Sequence, residues 1–306
     1  MVVNAYGWLG SIPAAGAAVI PNSRGTRAPV IHVPQGACDA HIHIYDPRYP
    51  FLVTGSPAAT HASTADYRQL QRRNGTQRAV IVQPRVYATD NRATLRAIAE
   101  LGVDNARGVA VISQDIRDDA LAALHAGGIR GIRFSLYTPV AAATDFGMVE
   151  PLAHRIHALG WHVQLHWHAD QIVAHEALIS RLPCAVVFDH LGRLPPAQGI
   201  AHPAFALIRR WLDRGSTWLK LSGAYLNTED HAHYADTVAT AQAYVRAAPE
   251  RLVWGSDWPH TTEPEHKPDD AQLLDLLGVW APETKDQHRI LVDNPQALYG
   301  FAAAAF

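Results

Sequence analysis

From residue 37 onward, short apolar segments rich in β-branched residues alternate with helix-length amphipathic ones, and this rhythm restricts the fold more than any other feature. The strand candidates are Ala37–Ile44, Arg78–Gln83, Arg107–Ser113, Gly131–Leu136, His162–Trp167, Ala185–His190, Thr217–Ser222 and Arg251–Ser256. Helical segments fall near 67–73, 91–102, 116–126, 149–159, 170–181, 203–214, 234–247 and 284–298, several opening on Asp, Asn or Ser as N-caps. Eight strands alternating with eight helices is the count of an α/β (β/α)8 TIM barrel. A doubly wound open sheet shares the alternation. Its first βα turn would usually carry a phosphate loop, however, and neither G-x-G-x-x-G nor G-x-x-x-x-G-K-[ST] occurs there. The expectation is a single barrel domain over 37–306. An irregular N-terminal arm over 1–36, where Gly, Ala and Pro are frequent and no period is visible, precedes it.

Composition narrows the partners. Of 306 residues, 48% are hydrophobic and 18% charged, which suffices for a large core and argues against disorder. The formal net charge of −2 provides no basic field to gather nucleic acid or an anionic membrane. No run approaches the roughly 18 apolar residues of a membrane span. The first twenty residues lack a basic start and are broken by Gly and Pro, unlike a secretory signal. Cys38 and Cys184 lie far apart without CxxC spacing, so neither a disulfide framework nor a thiolate zinc site is expected, and a cytoplasmic setting fits. A homo-oligomer is left open. The count that stands out is 18 histidines.

Several of these fall at strand ends. The first strand runs into Cys38-Asp39-Ala40-His41-Ile42-His43, and side chains two apart on a strand share a face, so His41 and His43 can meet one cation. The fifth strand ends in His166-Trp167-His168, the sixth in Asp189-His190, and the eighth in Asp257-Trp258-Pro259-His260. In a barrel the C-terminal strand ends converge on one mouth. Neutral imidazoles and a carboxylate suit Zn²⁺ or Mn²⁺, and a divalent ion of this kind lowers the pKa of bound water to about 7. Asp257 can take the proton of the attacking water or bind the ion. Read one by one, His166 and His190 are equally well core histidines and Asp257 a helix cap. Which of His166 and His168 is the fifth-strand ligand stays open. Arg85 and Tyr87 follow the second strand and are candidates for substrate contact, and Arg85 reads equally well as a solvated loop residue. Tyr45, Asp46, Arg193 and His260 are loop residues of the same kind. His125, His154, His157, His231 and His233 read as surface residues, and Trp167, Trp254 and Trp258 as packing at the mouth.

The fragments CDAHIHIYDP, GIRGIRF, VVFDHLGR and LVWGSDWPH resemble the amidohydrolase-related barrels of the amidohydrolase superfamily, the group that includes 2-pyrone-4,6-dicarboxylate lactonase and sugar lactonases. The likeness runs from about residue 36 to the C-terminus, and DHLGR and GSDWPH are its specific parts. It implies hydrolysis of a small anionic lactone, carboxylated or sulfonated, with Asp257 and His190 catalytic. It also implies one divalent metal on His41, His43, His166, His190 and Asp257, and Arg133 as a bidentate holder of a substrate carboxylate. Arg133 reads equally well as half of a structural ion pair. Two departures matter. The pyrone-dicarboxylate enzymes resemble a metal-independent variant with Tyr where this chain has His166, so His166 favours a metal while leaving the metal-free variant open. The seventh-strand segment KLSGAYL lacks the arginine expected for a dicarboxylate, which weighs against 2-pyrone-4,6-dicarboxylate itself. A decarboxylase on the same ligands, a lactone isomerase and a non-catalytic binding barrel are the rival readings.

Overall fold

Eight parallel strands follow one another around a barrel in chain order: β1 (Cys38–Ile42), β2 (Arg78–Val82), β3 (Ala106–Ala110), β4 (Ile129–Ser135), β5 (His162–His166), β6 (Val186–Phe188), β7 (Thr217–Leu221) and β8 (Leu252–Trp254). The computed structural model describes residues 19–59, 61–139 and 142–303. Nearly every strand residue is buried, because strands in such a barrel are covered on both faces and read as continuous apolar runs rather than alternating ones. Cys38, Ala40, Val80, Val82, Val109, Val187 and Val253 form one apolar cluster, and a larger cluster including Ile42, Ala79 and Ile81 packs toward the helices.

β1 changes face partway along. Its pairing with β2 slips between Asp39 and Ile42, the register of a β-bulge. Cys38 and Ala40 belong to the first cluster, while Ile42 and Ile44 belong to the outer one, so the extra residue re-aims the strand. His41 and His43 thereby turn inward at the mouth. The seam between β8 and β1 is closed by backbone bonds that continue past β8. Asp257 N donates to His41 O at 2.8 Å and His43 N to Trp258 O at 2.8 Å. The buried Asp39 carboxylate adds a staple, accepting from Ser256 N at 2.9 Å and His41 N at 3.2 Å. Burial pushes this carboxyl up to about 7, and those hydrogen bonds oppose the rise.

The helical layer comprises α1 (Thr64–Asn74), α2 (Arg92–Leu101), α3 (Asp118–Ala126), α4 (Val149–His157), α5 (Ala169–Ala174), α6 (Glu176–Ser180), α7 (Pro203–Asp213), α8 (Val238–Ala247), α9 (Asp270–Trp280), α10 (Thr284–His288) and α11 (Asn294–Tyr299). Three details differ from the sequence reading. The segment 170–181 is two short helices meeting at His175, and 284–298 is α10, a π-turn over Arg289–Asp293 and α11. α9 was not anticipated. Buried residues lie around most of its girth, so it shows no polar stripe for periodicity to detect. Residues 19–36 have no regular structure and lie against this helix, with Val30 N donating to Asp275 Oδ1 at 2.6 Å and Arg27 pairing with Asp275 at 2.6 Å. The part of the expected arm before residue 19 lies outside the described residues.

At the opposite end of the barrel, Phe301 takes the guanidinium groups of Arg107 and Arg78 over its ring, at 4.8 and 5.3 Å from the centroid. Tyr299 packs edge-on against His162.

Candidate active site

A cavity of ≈ 240 Å³ opens at the C-terminal strand ends. His43 (after β1), Arg85 (after β2), Arg133 (β4), His166 (β5), His190 (after β6), Tyr225 (after β7) and Asp257 (after β8) all contribute to its wall. Residues from seven strand ends thus meet in one small volume. The backbone that delivers them is unusual. In the DHLGR turn, His190, Leu191, Gly192 and Arg193 all have positive φ, between 49° and 73°, and Asp257 sits at 64°. Non-glycine residues are rarely found in this left-handed region except where surrounding structure enforces it, often at functional sites. Gly192 is required for a second reason: a Cβ there would stand 2.6 Å from Ile208 Cδ1.

Three ligand-type atoms form a tight triangle. His41 Nε2 and His43 Nε2 are 3.3 Å apart, and Asp257 Oδ1 lies 3.5 and 3.4 Å from them. Atoms about 2.0–2.1 Å from one tetrahedral cation stand about 3.3–3.4 Å from each other, so the triangle has the size of one face of such a shell. The outer contacts agree with this use. His43 Nδ1 is 2.8 Å from the Val82 carbonyl, to which it donates, leaving the Nε2 lone pair toward the triangle. His41 Nδ1 lies 3.4 Å from the buried Asp189 carboxylate and can donate there likewise. The donor set therefore fits a divalent cation. A second group, His41, Asp189 and His190, also offers three ligand atoms within reach of one another.

Two protein cations sit beneath the triangle. Arg133 Nε donates to Asp189 Oδ2 at 3.0 Å, its Nη2 stands 3.0 Å from the same oxygen as an ion pair, and Gln164 Nε2 adds a hydrogen bond at 3.1 Å. Lys220, fully buried, donates to Ala40 O and Gln164 Oε1 at 2.9 Å each and approaches His41 Nδ1 at 3.3 Å. Burial pulls its ammonium down to about 8, opposed by the Asp189 charge. Asp189 itself has burial pushing it up, but the surrounding His41, Arg133 and Lys220 hold it well below the ordinary carboxylate range. Asp257 behaves alike: burial alone would raise it, and His190, His43 and His41 together hold it ionised. Burial also lowers His41 and His166 well below the ordinary imidazole range and brings His190 down to about 4, each opposed by the neighbouring carboxylates.

The sequence-derived candidates divide as follows. His41, His43, His190 and Asp257 come together, with His190 Nε2 3.9 Å from Asp257 Oδ2 and its Nδ1 2.9 Å from Ser222 Oγ. His166 stands beside them and outside the triangle. Its Nδ1 meets Ser135 Oγ at 3.0 Å, its ring stacks on Tyr137, and its edge meets the His190 ring at a centroid distance of 5.3 Å. His168 heads α5 and does not line the cavity. Arg133 and Arg85 line the cavity, and burial and the Arg133 charge both lower Arg85. Tyr87 stands apart from the cavity lining. It is fully buried away from the cavity wall, and its hydroxyl is spent on Asp46, accepting from Asp46 N at 2.8 Å and donating to Asp46 O at 3.0 Å. Among the loop candidates, Tyr45 and Arg193 line the cavity.

Sequence reasoning passed over Asp189, Lys220 and Tyr225 as site residues. Asp189 had a signal, its place beside His190 in DHLGR. Lys220 also had one, a lysine inside a strand that should be buried on both faces. Tyr225 donates to Asp257 Oδ2 at 2.6 Å, and nothing in its sequence surroundings announces that bond.

Three curated relatives align over most of the chain. A 2-pyrone-4,6-dicarboxylate hydrolase of Comamonas testosteroni is 35% identical, covering 89% of this chain and 92% of its own. A 4-sulfomuconolactone hydrolase of Rhizobium radiobacter is 32% identical, covering 92% and 97%. A D-galactarolactone isomerase of Agrobacterium fabrum is 32% identical, covering 89% and 94%. The family model described as Amidohydrolase matches residues 38–301, the barrel from its first strand to the aromatic plug at its far end. On that match, and on a mouth built from the strand ends that the motifs marked, this chain belongs to the amidohydrolase family.

Proposed function

We propose that this protein is a carboxylic ester hydrolase that opens a small anionic lactone, the carboxylated or sulfonated ring class named for its hydrolase relatives. The observation that carries the reading is the Asp257 carboxylate, ionised and held against His41, His43 and His190 on the wall of a cavity that arginines share. In the proposed mechanism a lactone sits with its acid group toward Arg85 and Arg133, of which Arg133 has one guanidinium edge on Asp189. Water held at Asp257 gives it a proton as the oxygen adds to the carbonyl. Neutral His190, steadied by Ser222, polarises that carbonyl by donating a hydrogen bond, and the proton taken up by Asp257 passes to the ring oxygen as its bond to the carbonyl carbon breaks. Ring opening then yields the hydroxy or keto acid.

A divalent ion, zinc or manganese, would be held by His41, His43 and Asp257 and would supply Lewis acidity to the reacting oxygens. His166 then borders the substrate as a neutral donor or acceptor on Ser135 rather than as a ligand. Because one relative is named as an isomerase, the test is turnover of a panel of carboxylated and sulfonated lactones in ¹⁸O-labelled water. Label in a ring-opened acid supports hydrolysis. An unlabelled rearranged lactone, or release of carbon dioxide, overturns it in favour of an isomerase or a decarboxylase.

A further inference from the structure

The two oxygens of Asp257 face different groups. Oδ1 looks to the first-strand imidazoles at 3.4 and 3.5 Å, while Oδ2 receives the Tyr225 hydroxyl at 2.6 Å. The last torsion of an aspartate is broad and weakly restrained, so which oxygen meets a given partner is decided by what grips the carboxylate. From these contacts we propose that Tyr225 is a positioning residue for the reaction: it clamps Oδ2, so that Oδ1 is the oxygen offered to water beside His41 and His43. This rests on the hydrolase reading, in which Asp257 is the base.

The clamp is itself well held. Tyr225 lies in a short 3-10 turn, Ala224–Leu226, entered through Gly223 at φ 58°, where a Cβ would meet His190 Nδ1 at 2.7 Å. Its ring stands edge-on to His260, 5.2 Å between centroids. His260 is fully buried and meets both oxygens of the equally buried Asp270 at 3.1 Å. A line of contacts thus runs from α9 through His260 and Tyr225 to the reacting carboxylate. Tyr225 also separates two spaces, lining both the reaction cavity and a groove of ≈ 800 Å³ bordered by Arg24, Glu263 and Lys267. Asp257 lines the reaction cavity and not that groove, so Tyr225 is a shared wall of the two spaces while its hydroxyl aims the carboxylate.

Tyr225→Phe keeps the wall and deletes the clamp. The expected result on a lactone that wild type opens is a kcat lower by about 10–100-fold, the scale of a small misplacement of a reacting group, with KM held. Binding of isophthalate, an unreactive anion, measured by calorimetry, is expected to stay unchanged. The decisive measurement is the double variant. Because Tyr225 acts through Asp257, Tyr225→Phe should add little to the loss already present in Asp257→Asn, whereas a structural effect would multiply with it. Wild-type kcat in Tyr225→Phe, a loss confined to KM, or full multiplicativity in the double variant overturns the proposal. Normal turnover in Asp257→Asn alone would instead overturn the hydrolase reading beneath it.

Discussion

His162, at the inner end of β5, allows a quantitative prediction about the barrel itself. It is buried, neither ring nitrogen makes a well-formed hydrogen bond among the described residues, and the Arg130 backbone opposes the shift only weakly. Burial, with the Lys220 charge adding to it, lowers its pKa from 6.5 to about 3. The folded protein therefore keeps this ring neutral while the unfolded chain takes a proton near pH 6.5. The sign follows directly: the contribution to stability is whole above the unfolded pKa and is lost as pH falls from there toward the folded value. At about pH 5 the unfolded state has gained about 1.5 pH units of protonation, worth about 2 kcal/mol at about 1.4 kcal/mol per unit. For a chain of this size that is a drop in Tm of about 3 °C. His162→Leu fills the site with an apolar side chain of similar bulk and removes the titration. Thermal unfolding of both proteins at about pH 8 and about pH 5 should show wild type losing about 2 kcal/mol more than the variant over that interval. Other buried histidines titrate in both proteins and cancel in the difference. Parallel losses in the two would refute the assignment.

Other predictions concern the same fold and site. Gly131→Ala places a Cβ 2.4–2.8 Å from the His162 ring and should cost about 1–3 kcal/mol in thermal or urea unfolding; an unchanged midpoint would show that the ring has room to move. Tyr87→Phe strips two hydrogen bonds from the Asp46 backbone and should cost about 1–3 kcal/mol of stability while leaving KM for a lactone unchanged; a raised KM without loss of stability would restore Tyr87 as a substrate contact. Zinc added to chelator-treated wild type at about 100 times its Kd should stabilise the fold by about 2.7 kcal/mol, and His43→Ala should lose that gain. An equal shift in both proteins would remove His43 from the ligand set.

Much of this molecule was legible before any coordinates. The alternation placed all eight strands, because strands covered on both faces leave long apolar runs between amphipathic helices. The motifs at the ends of β1, β6 and β8 named the groups that meet, since a barrel brings strand ends together whatever their distance in sequence. What stayed hidden depends on packing in three dimensions. α9 is buried on most sides and shows no stripe. Tyr87 follows a strand as a cavity residue would, but the short turn Arg85–Tyr87 directs its hydroxyl to Asp46. Tyr225 and Lys220 act through contacts with residues far away in the chain, 32 and 180 positions off. Arg133 makes the ion pair with Asp189 and also lines the cavity, and its hold on a substrate carboxylate belongs to the proposed function.

The central claim is that the carboxylate at the end of the eighth strand removes the proton from the attacking water. Measuring kcat of Asp257→Asn on a lactone that wild type opens tests it most directly, with circular dichroism to verify the fold. The account predicts a loss of about 10²–10⁴-fold, the contribution of a positioned base. A folded variant turning over within a fewfold of wild type would contradict it.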